Sequence, residues 1–397
     1  MKICIDVRCL SEGRRTGVEE YTFNLLSNLF EIDKDNQYAL FFNSWKKSKA
    51  DFSWIEKYPN VSLKKFSFPN KILNFSFWYL GWPKIDKMVG GVDVVFMPNI
   101  IFGSVSRRAK LILTVHDLSF ERYPEYFSRK RRWWHIFINP KKMCRRADKI
   151  IAVSYSTKND IANLYKILPD KIAAIHSAVA DKFRIISHND EKLVKIKEKY
   201  NLPYKFILSL GTIEPRKNIT GIVKAYNALQ KYAAKQTSEV CDNRPRRSVN
   251  IEEILKYKLV IAGESGWANE KIFEEIRKSP YKNNIQIINS VPDEDKEYFY
   301  NLSSLFVYPS FFEGFGFPPL EAMKCGVPVI CSNNSSLPEI AGEAAIMVYP
   351  DKPEEICQAM KEILTDQNLR ENLIQKGLQK SAKFSWLKTA KETLKIF

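Results

Sequence analysis

Two glutamates with seven residues between them, Glu313 and Glu321, stand in the segment Tyr308-Pro309-Ser310-Phe311-Phe312-Glu313-Gly314-Phe315-Gly316-Phe317-Pro318-Pro319-Leu320-Glu321. Its residue types read as a strand end, a glycine-bearing loop and a helix opened by prolines, which a first helical turn tolerates. Gly314 and Gly316 let the backbone approach a ligand closely, with Phe315 between them, and the helix N-terminus that follows favours an anion such as phosphate. Carboxylates accept well from vicinal sugar hydroxyls, which a phosphate-binding loop alone cannot read. Glu321 taken by itself is equally an acid in a first helical turn, favoured by the dipole. The segment as a whole does not reduce to that.

A second candidate is Leu210-Gly211-Thr212-Ile213-Glu214-Pro215-Arg216-Lys217-Asn218, again a strand end that leads into a helix. Arg216 offers a fork and Lys217 a point charge to a pyrophosphate, each charge-assisted bond worth about 1.5–3 kcal/mol when desolvated. Alone, this stretch reads better as a solvated basic turn; its place at a neighbouring strand end argues against that. In the N-terminal half, Arg14-Arg15-Thr16-Gly17-Val18-Glu19 lies between the first strand and an amphipathic helix, where phosphate-facing loops occur, although it does not spell G-x-G-x-x-G. His116-Asp117 closes the strand expected at 111–115. A lone histidine is more often structural, but this one holds the best position among four. Asp33-Lys34-Asp35 and Asp293-Glu294-Asp295 match D-x-D, a metal-binding pattern elsewhere. Neither has supporting ligands, so both are expected to be solvated surface, and no metal site is expected.

The elements that must position these residues are legible as short apolar runs alternating with helical patterns. Strands are expected at 3–7, 38–42, 61–63, 94–97, 111–115, 150–153 and 172–175, then at 206–210, 259–262, 285–288, 305–308, 327–331 and 345–348. Continuous apolar runs separated by helices indicate parallel strands buried on both faces, the pattern of doubly wound α/β domains. It occurs twice, giving one domain at 1–200 and a second at 201–384, with the charged stretch 189–200 as linker. The last helix, 385–397, is a candidate to pack back on the first domain. Residues 235–250 read as a surface insertion. Ligands of open α/β sheets bind outside the carboxyl ends of strands, so an active site in the interdomain cleft is expected.

The composition is that of a globular protein, with 45% hydrophobic and 13% aromatic residues, and no apolar run reaches the roughly 18 residues of a spanning helix. Seven scattered cysteines without metal-ligand spacing, and no signal-peptide plan at the start, point to a cytoplasmic protein. The net charge of +17 is uneven: residues 1–200 hold 36 Lys and Arg against 21 Asp and Glu, and the rest 26 against 24. The first half therefore suits a polyanion, an anionic membrane or a phosphorylated acceptor. Within it, Arg129-Lys130-Arg131-Arg132-Trp133-Trp134-His135 and Lys141-Lys142-Met143-Cys144-Arg145-Arg146 interleave basic and aromatic residues, and Phe75, Phe77, Trp78, Tyr79 and Trp82 cluster upstream. The region 129–146 thus reads either as a peripheral contact to the inner face of a membrane or as a charged helix face over an ordinary core. A nucleic-acid-binding protein is a rival suggested by the charge, yet no recognition module is present.

At these residues the chain resembles glycosyltransferase family 4, the group-1 transferases of two facing Rossmann-like domains (the GT-B fold), from Lys2 to about residue 396. The E-x7-E hallmark is Glu313 and Glu321. The stretch 211–218, Ala262-Gly263-Glu264-Ser265-Gly266-Trp267, Ser335-Ser336-Leu337-Pro338-Glu339 and Val115-His116-Asp117-Leu118-Ser119-Phe120 are similar especially to bacterial mannosyltransferases of surface-polysaccharide assembly. The resemblance implies a retaining hexosyltransferase that needs no cofactor and takes a nucleotide sugar, GDP-mannose first, as substrate. Glucosyl, galactosyl or N-acetylglucosaminyl transfer within the same family is the alternative, and a phosphorylase, an epimerase or an inactive scaffold are rivals of the same fold. The acceptor implied is a lipid-linked saccharide.

Position by position, the resemblance implies that Arg216 and Lys217 hold the donor diphosphate and Glu321 the ribose hydroxyls. Glu313, with the backbone of Gly314, Phe315 and Gly316, would hold the sugar. His116 would touch a sugar hydroxyl near the reacting carbon, Gly17 and Gly263 would approach the donor, and Val291 would line the base pocket. One departure is Ile175-His176-Ser177-Ala178-Val179, where relatives often have Pro-Asn-Gly-Val.

Overall fold

Apolar runs such as Ile3-Cys4-Ile5 and Ile112-Leu113, all without solvent exposure, can only satisfy their backbone groups in the middle of a sheet covered on both faces. The computed structural model describes residues 1–13, 16–45, 47–239, 251–267 and 269–397 and divides them into two units, Met1–Ala178 with Phe384–Phe397, and Val179–Lys383. Of the insertion expected at 235–250, residues 235–239 continue the helix Ile219–Glu239 and the remainder lies outside the described residues, as do Arg14 and Arg15.

The first unit is a parallel sheet of β1 (Lys2–Asp6), β2 (Gln37–Asn43), β3 (Val61–Phe66), β4 (Val94–Met97), β5 (Lys110–Val115), β6 (Lys149–Ala152) and β7 (Ile172–Ala174). Their spatial order is β3-β2-β1-β4-β5-β6-β7. The helix Gly17–Ile32 buries Tyr21, Leu25, Leu26, Leu29 and Phe30 at helical spacing. Its start is fixed by Glu19, whose Oε2 accepts from the Thr16 N–H at 2.9 Å. The chain returns at its end: the helix Trp386–Leu394 lays Trp386 edge-on against Tyr21 (centroids 5.9 Å apart), and Thr389 donates to the His176 carbonyl at 2.7 Å.

The second unit is likewise parallel, with β8 (Phe206–Leu210), β9 (Lys258–Ala262), β10 (Ile285–Ile288), β11 (Leu305–Tyr308), β12 (Val329–Ser332) and β13 (Ala345–Val348) in the order β10-β9-β8-β11-β12-β13. The helices Ile219–Glu239 and Pro353–Thr365 cover one face through Ile222, Val223, Tyr226, Ile356, Met360 and Ile363. Each such fully buried side chain contributes about 1.5–3 kcal/mol. Strand order reverses between β8 and β11, and their carboxyl ends open a switch point of the kind that binds ligands in α/β sheets.

Two expectations change here. The border between units falls at Ala178–Val179, ahead of the expected linker. The charged stretch 189–200 is a helix, Glu191–Lys199, that buries Leu193 and Ile196 in the second unit, and Lys199 there pairs with Asp295 at 2.7 Å. Of the D-x-D acids Asp35 is exposed as expected, whereas Asp33 and Asp295 are buried and Asp293 is half-buried. Asp33 is buried and accepts from the backbone of Asp35 and Asn36 at 3.0 and 3.2 Å and from Tyr38; Asp295, also buried, accepts from Lys199 and from Tyr200 at 2.6 Å; Asp293 pairs with Lys182 and Lys296. All three serve as structural acceptors.

Gly263 ends β9 beside Gly211 at the end of β8. With φ at +146°, a Cβ there would lie 2.0 Å from the Gly211 carbonyl oxygen. Gly263→Ala therefore combines backbone strain with a clash between strands, and is expected to destabilise the protein by roughly 2–4 kcal/mol in urea unfolding.

Candidate active site

β8 and β11 pair directly, so the loops that follow them leave adjacent strand ends. The first turns through Gly211 and a short 3-10 turn, Pro215–Lys217, closed by Asn218 in the left-handed region (φ 56°). The second runs from Pro309 to Gly316 (φ 110°), whose absent Cβ would stand 2.7 Å from Leu337, and then opens the helix Phe317–Lys324. Backbone bonds stitch the two together: Phe311 N–H donates to the Arg216 carbonyl at 2.9 Å, and Asn334 holds the Phe311 carbonyl at 2.9 Å.

This stitching brings Arg216, Lys217 and Glu313 into contact. Lys217 Nζ lies 2.6 Å from Glu313 Oε1 and 2.5 Å from Tyr308 Oη. Glu313 Oε1 also accepts from Ser310 at 2.6 Å and from Tyr308 at 3.0 Å. Its Oε2 is 3.2 Å from Arg216 Nη1, which also donates to the Phe312 carbonyl at 2.6 Å, while Glu214 receives the Arg216 guanidinium at 2.8 and 3.0 Å. Two cations and two carboxylates are balanced with little exposure, so none is left as an uncompensated buried charge. Burial pushes the Glu313 carboxyl up, but Lys217 and Arg216 outweigh it and hold it at about 2. Burial, then repulsion from Arg216, lowers Lys217, and Glu313 opposes this.

The remaining predicted residues are distributed as follows. Glu321 is buried in the helix Phe317–Lys324, one oxygen held by Tyr300 Oη at 2.7 Å, a bond that with burial drives the Tyr300 hydroxyl well above its usual range. Gly314, Phe315 and Gly316 form the loop after Glu313, which Ser335 and Ser336 tie down: Ser335 Oγ accepts the Glu313 N–H at 3.0 Å, and Ser336 Oγ donates to the carbonyls of Glu313 and Phe315 at 3.0 and 2.6 Å. Val291 is half-buried in the loop beyond β10. Gly263 has a demand of its own, the close approach of Gly211.

His116 and Gly17 belong to the first unit. His116 follows β5; its Nε2 lies 2.8 Å from the Pro98 carbonyl, and Tyr21 meets the ring edge-on at 4.8 Å. A carbonyl only accepts, so Nε2 carries the hydrogen and the neutral ring presents Nδ1 as an acceptor. Burial lowers the His116 pKa, which favours that neutral form. Gly17 is the exposed first residue of the helix Gly17–Ile32. Sequence reasoning does not single out Tyr308, Ser310 or Glu214. The available signal is that Tyr308 is the last residue of β11 and Glu214 sits two before Arg216.

Among the described residues no group of three or more His, Cys, Asp or Glu is placed to hold a metal ion, no helix is long and apolar enough to cross a membrane, and the six described cysteines are free thiols.

The two sheets and the loop network define a GT-B glycosyltransferase, and the chain belongs to glycosyltransferase family 4: residues 15–183 match "Glycosyltransferase Family 4" and residues 190–380 match "Glycosyl transferases group 1". It is 31% identical to the O-antigen chain mannosyltransferase B of Escherichia coli over 293 residues, 73% of this chain and 71% of that one. It is 34% identical over 281 residues to the serotype-specific mannosyltransferase WbdA of Escherichia coli, where the match covers 71% of this chain but only 32% of WbdA. Among solved structures, sucrose-phosphate synthase of Thermosynechococcus elongatus superposes with a TM-score of 0.73 at 17% identity, covering 100% of this chain and 98% of that one.

Because the folded Glu313 pKa lies below the unfolded value of 4.5, its network contributes stability that is complete above about pH 4.5 and lost as pH falls toward about 2. The contribution is on the order of 3 kcal/mol. Glu313→Gln is expected to be less stable than wild type by about that amount at pH 7, the gap closing as pH approaches 2 in urea titrations.

Proposed function

We propose that the chain is a retaining mannosyltransferase that uses GDP-mannose and extends a saccharide acceptor in bacterial surface-polysaccharide synthesis. The observation that carries the reading is the buried Arg216–Glu313–Lys217 network at paired strand ends, beside a glycine loop and a helix N-terminus. A fixed fork and point charge at a switch point suit a nucleoside diphosphate. The relatives at 31% and 34% identity are named mannosyltransferases, which supports mannose over other hexoses.

In this reading Arg216 and Lys217 stabilise the charge that develops on the departing diphosphate as the bond from the anomeric carbon breaks. Glu313 keeps both cations in position, since its own oxygens are already engaged by Lys217, Arg216, Tyr308 and Ser310. Glu321 receives the ribose hydroxyls. His116, neutral and presenting Nδ1, accepts from a donor-sugar hydroxyl. The acceptor oxygen bonds to the anomeric carbon on the face the phosphate leaves, and its proton passes to that phosphate. Gly17, Gly263 and the main chain of 314–316 allow close approach, and Val291 lies against the base.

Glu321→Ala is expected to lower kcat/KM by at least about a hundredfold, close to 3 kcal/mol in transition-state binding, and to lower the melting temperature by a few degrees because the buried Tyr300 hydroxyl loses its acceptor. Wild-type turnover in that variant would remove Glu321 from the site. In a thermal-shift series GDP-mannose at 100 times its Kd is expected to add about 2.7 kcal/mol. Stabilisation by a UDP-sugar alone would overturn mannose and favour glucosyl, galactosyl or N-acetylglucosaminyl transfer.

A further inference from the structure

Two segments of the first unit that lie far apart in sequence meet on its surface. The turn that follows the helix Asn70–Phe75 presents Trp78, Tyr79, Leu80 and Trp82, and the helix Arg129–Ile138 presents Trp133, Ile136 and Phe137. They touch through Trp78 and Phe137, whose rings meet edge-on at 5.2 Å, and Trp133 stacks on Phe137 one turn along at 6.0 Å. The helix is anchored from beneath by His135 stacked on Phe120 at 3.9 Å and by Trp134 against Phe102 at 6.0 Å. The outward residues are therefore held in place yet stay exposed: Trp82 66%, Ile136 64%, Trp133 59%. So much fixed apolar area in water is costly unless something covers it.

The charge around it narrows what that is. Neither 66–84 nor 126–147 contains a single Asp or Glu, while Lys71, Arg129, Lys130, Arg131, Arg132 and Lys142 are all exposed there. A second copy of this face would bring like charge to like charge. Nucleic acid would use the basic residues and the rings but leave Ile72, Leu80 and Ile136 uncovered. A bilayer with anionic headgroups satisfies all three: phosphates for the cations, the interfacial zone for Trp and Tyr, the acyl boundary for the aliphatic side chains.

We propose that this aromatic and basic face of the first unit docks the protein peripherally on an anionic lipid bilayer. The interaction uses none of the residues assigned to sugar transfer, so it stands or falls separately from that assignment.

The test is flotation of the full chain with phosphatidylcholine vesicles, with or without about a quarter phosphatidylglycerol, read together with tryptophan fluorescence. Binding is expected only to the anionic vesicles, with a blue shift. Arg131→Ala with Arg132→Ala should weaken partitioning roughly thirty-fold, since each basic residue near such a surface contributes about five-fold. Trp78→Ser with Trp133→Ser should shrink the blue shift, leaving Trp82 to report, and weaken binding too, with circular dichroism melting as wild type. Equal binding to neutral vesicles, unchanged partitioning of either double variant, dimerisation through this face in ultracentrifugation, or loss of vesicle binding to an equimolar RNA competitor would each overturn the proposal.

Discussion

A lysine and an arginine placed at the edge of a sheet, where the chain must also be dry, set the terms for everything around them. Lys217 and Arg216 can keep their charge with so little exposure only because Glu313 and Glu214 stand within salt-bridge distance. Glu313 in turn needs its loop at one height above β11, fixed by Ser335, Ser336 and Asn334 and by the turn at Gly316. The pairing of β8 with β11 brings the two loops into reach. Strand order, glycine placement and serine hydroxyls all serve one electrostatic arrangement. Its polarity suits a ligand with negative charge at one end and hydroxyls at the other.

Much of this was legible beforehand, for a physical reason. A strand covered by helices on both faces must be apolar without alternation, so runs such as Phe206–Leu210 and Leu305–Tyr308 announce themselves, and their ends mark where ligands are met. Arg216, Lys217 and Glu313 are legible as residue types in loops after strands. That they touch is not, because contact depends on which strands are neighbours, and strand order is a long-range property. For the same reason Tyr308 and Ser310 pass as ordinary loop and strand residues until the register places them on the Glu313 carboxylate.

The misreadings share a cause. The stretch 189–200 is dense in charge, which suggests a linker, but its Leu193 and Ile196 are one turn apart and enough to dock a helix on the second unit. Asp33 and Asp295 lie in polar surroundings, which suggests solvent, whereas each closes the end of an element by accepting from several donors at once. Polar sequence says little about burial when the polar groups satisfy one another.

The first unit is not contiguous in sequence. Its helix Gly17–Ile32 is completed by Trp386, which backs Tyr21, which in turn meets His116. A chain made from its N-terminus has the whole second unit, Val179–Lys383, before it has the last piece of the first. The later-encoded half can therefore be finished as a folded body while the earlier one still waits with an open seam along Tyr21. The contact of Trp386 with Tyr21 thus depends on the part of the chain that is made last.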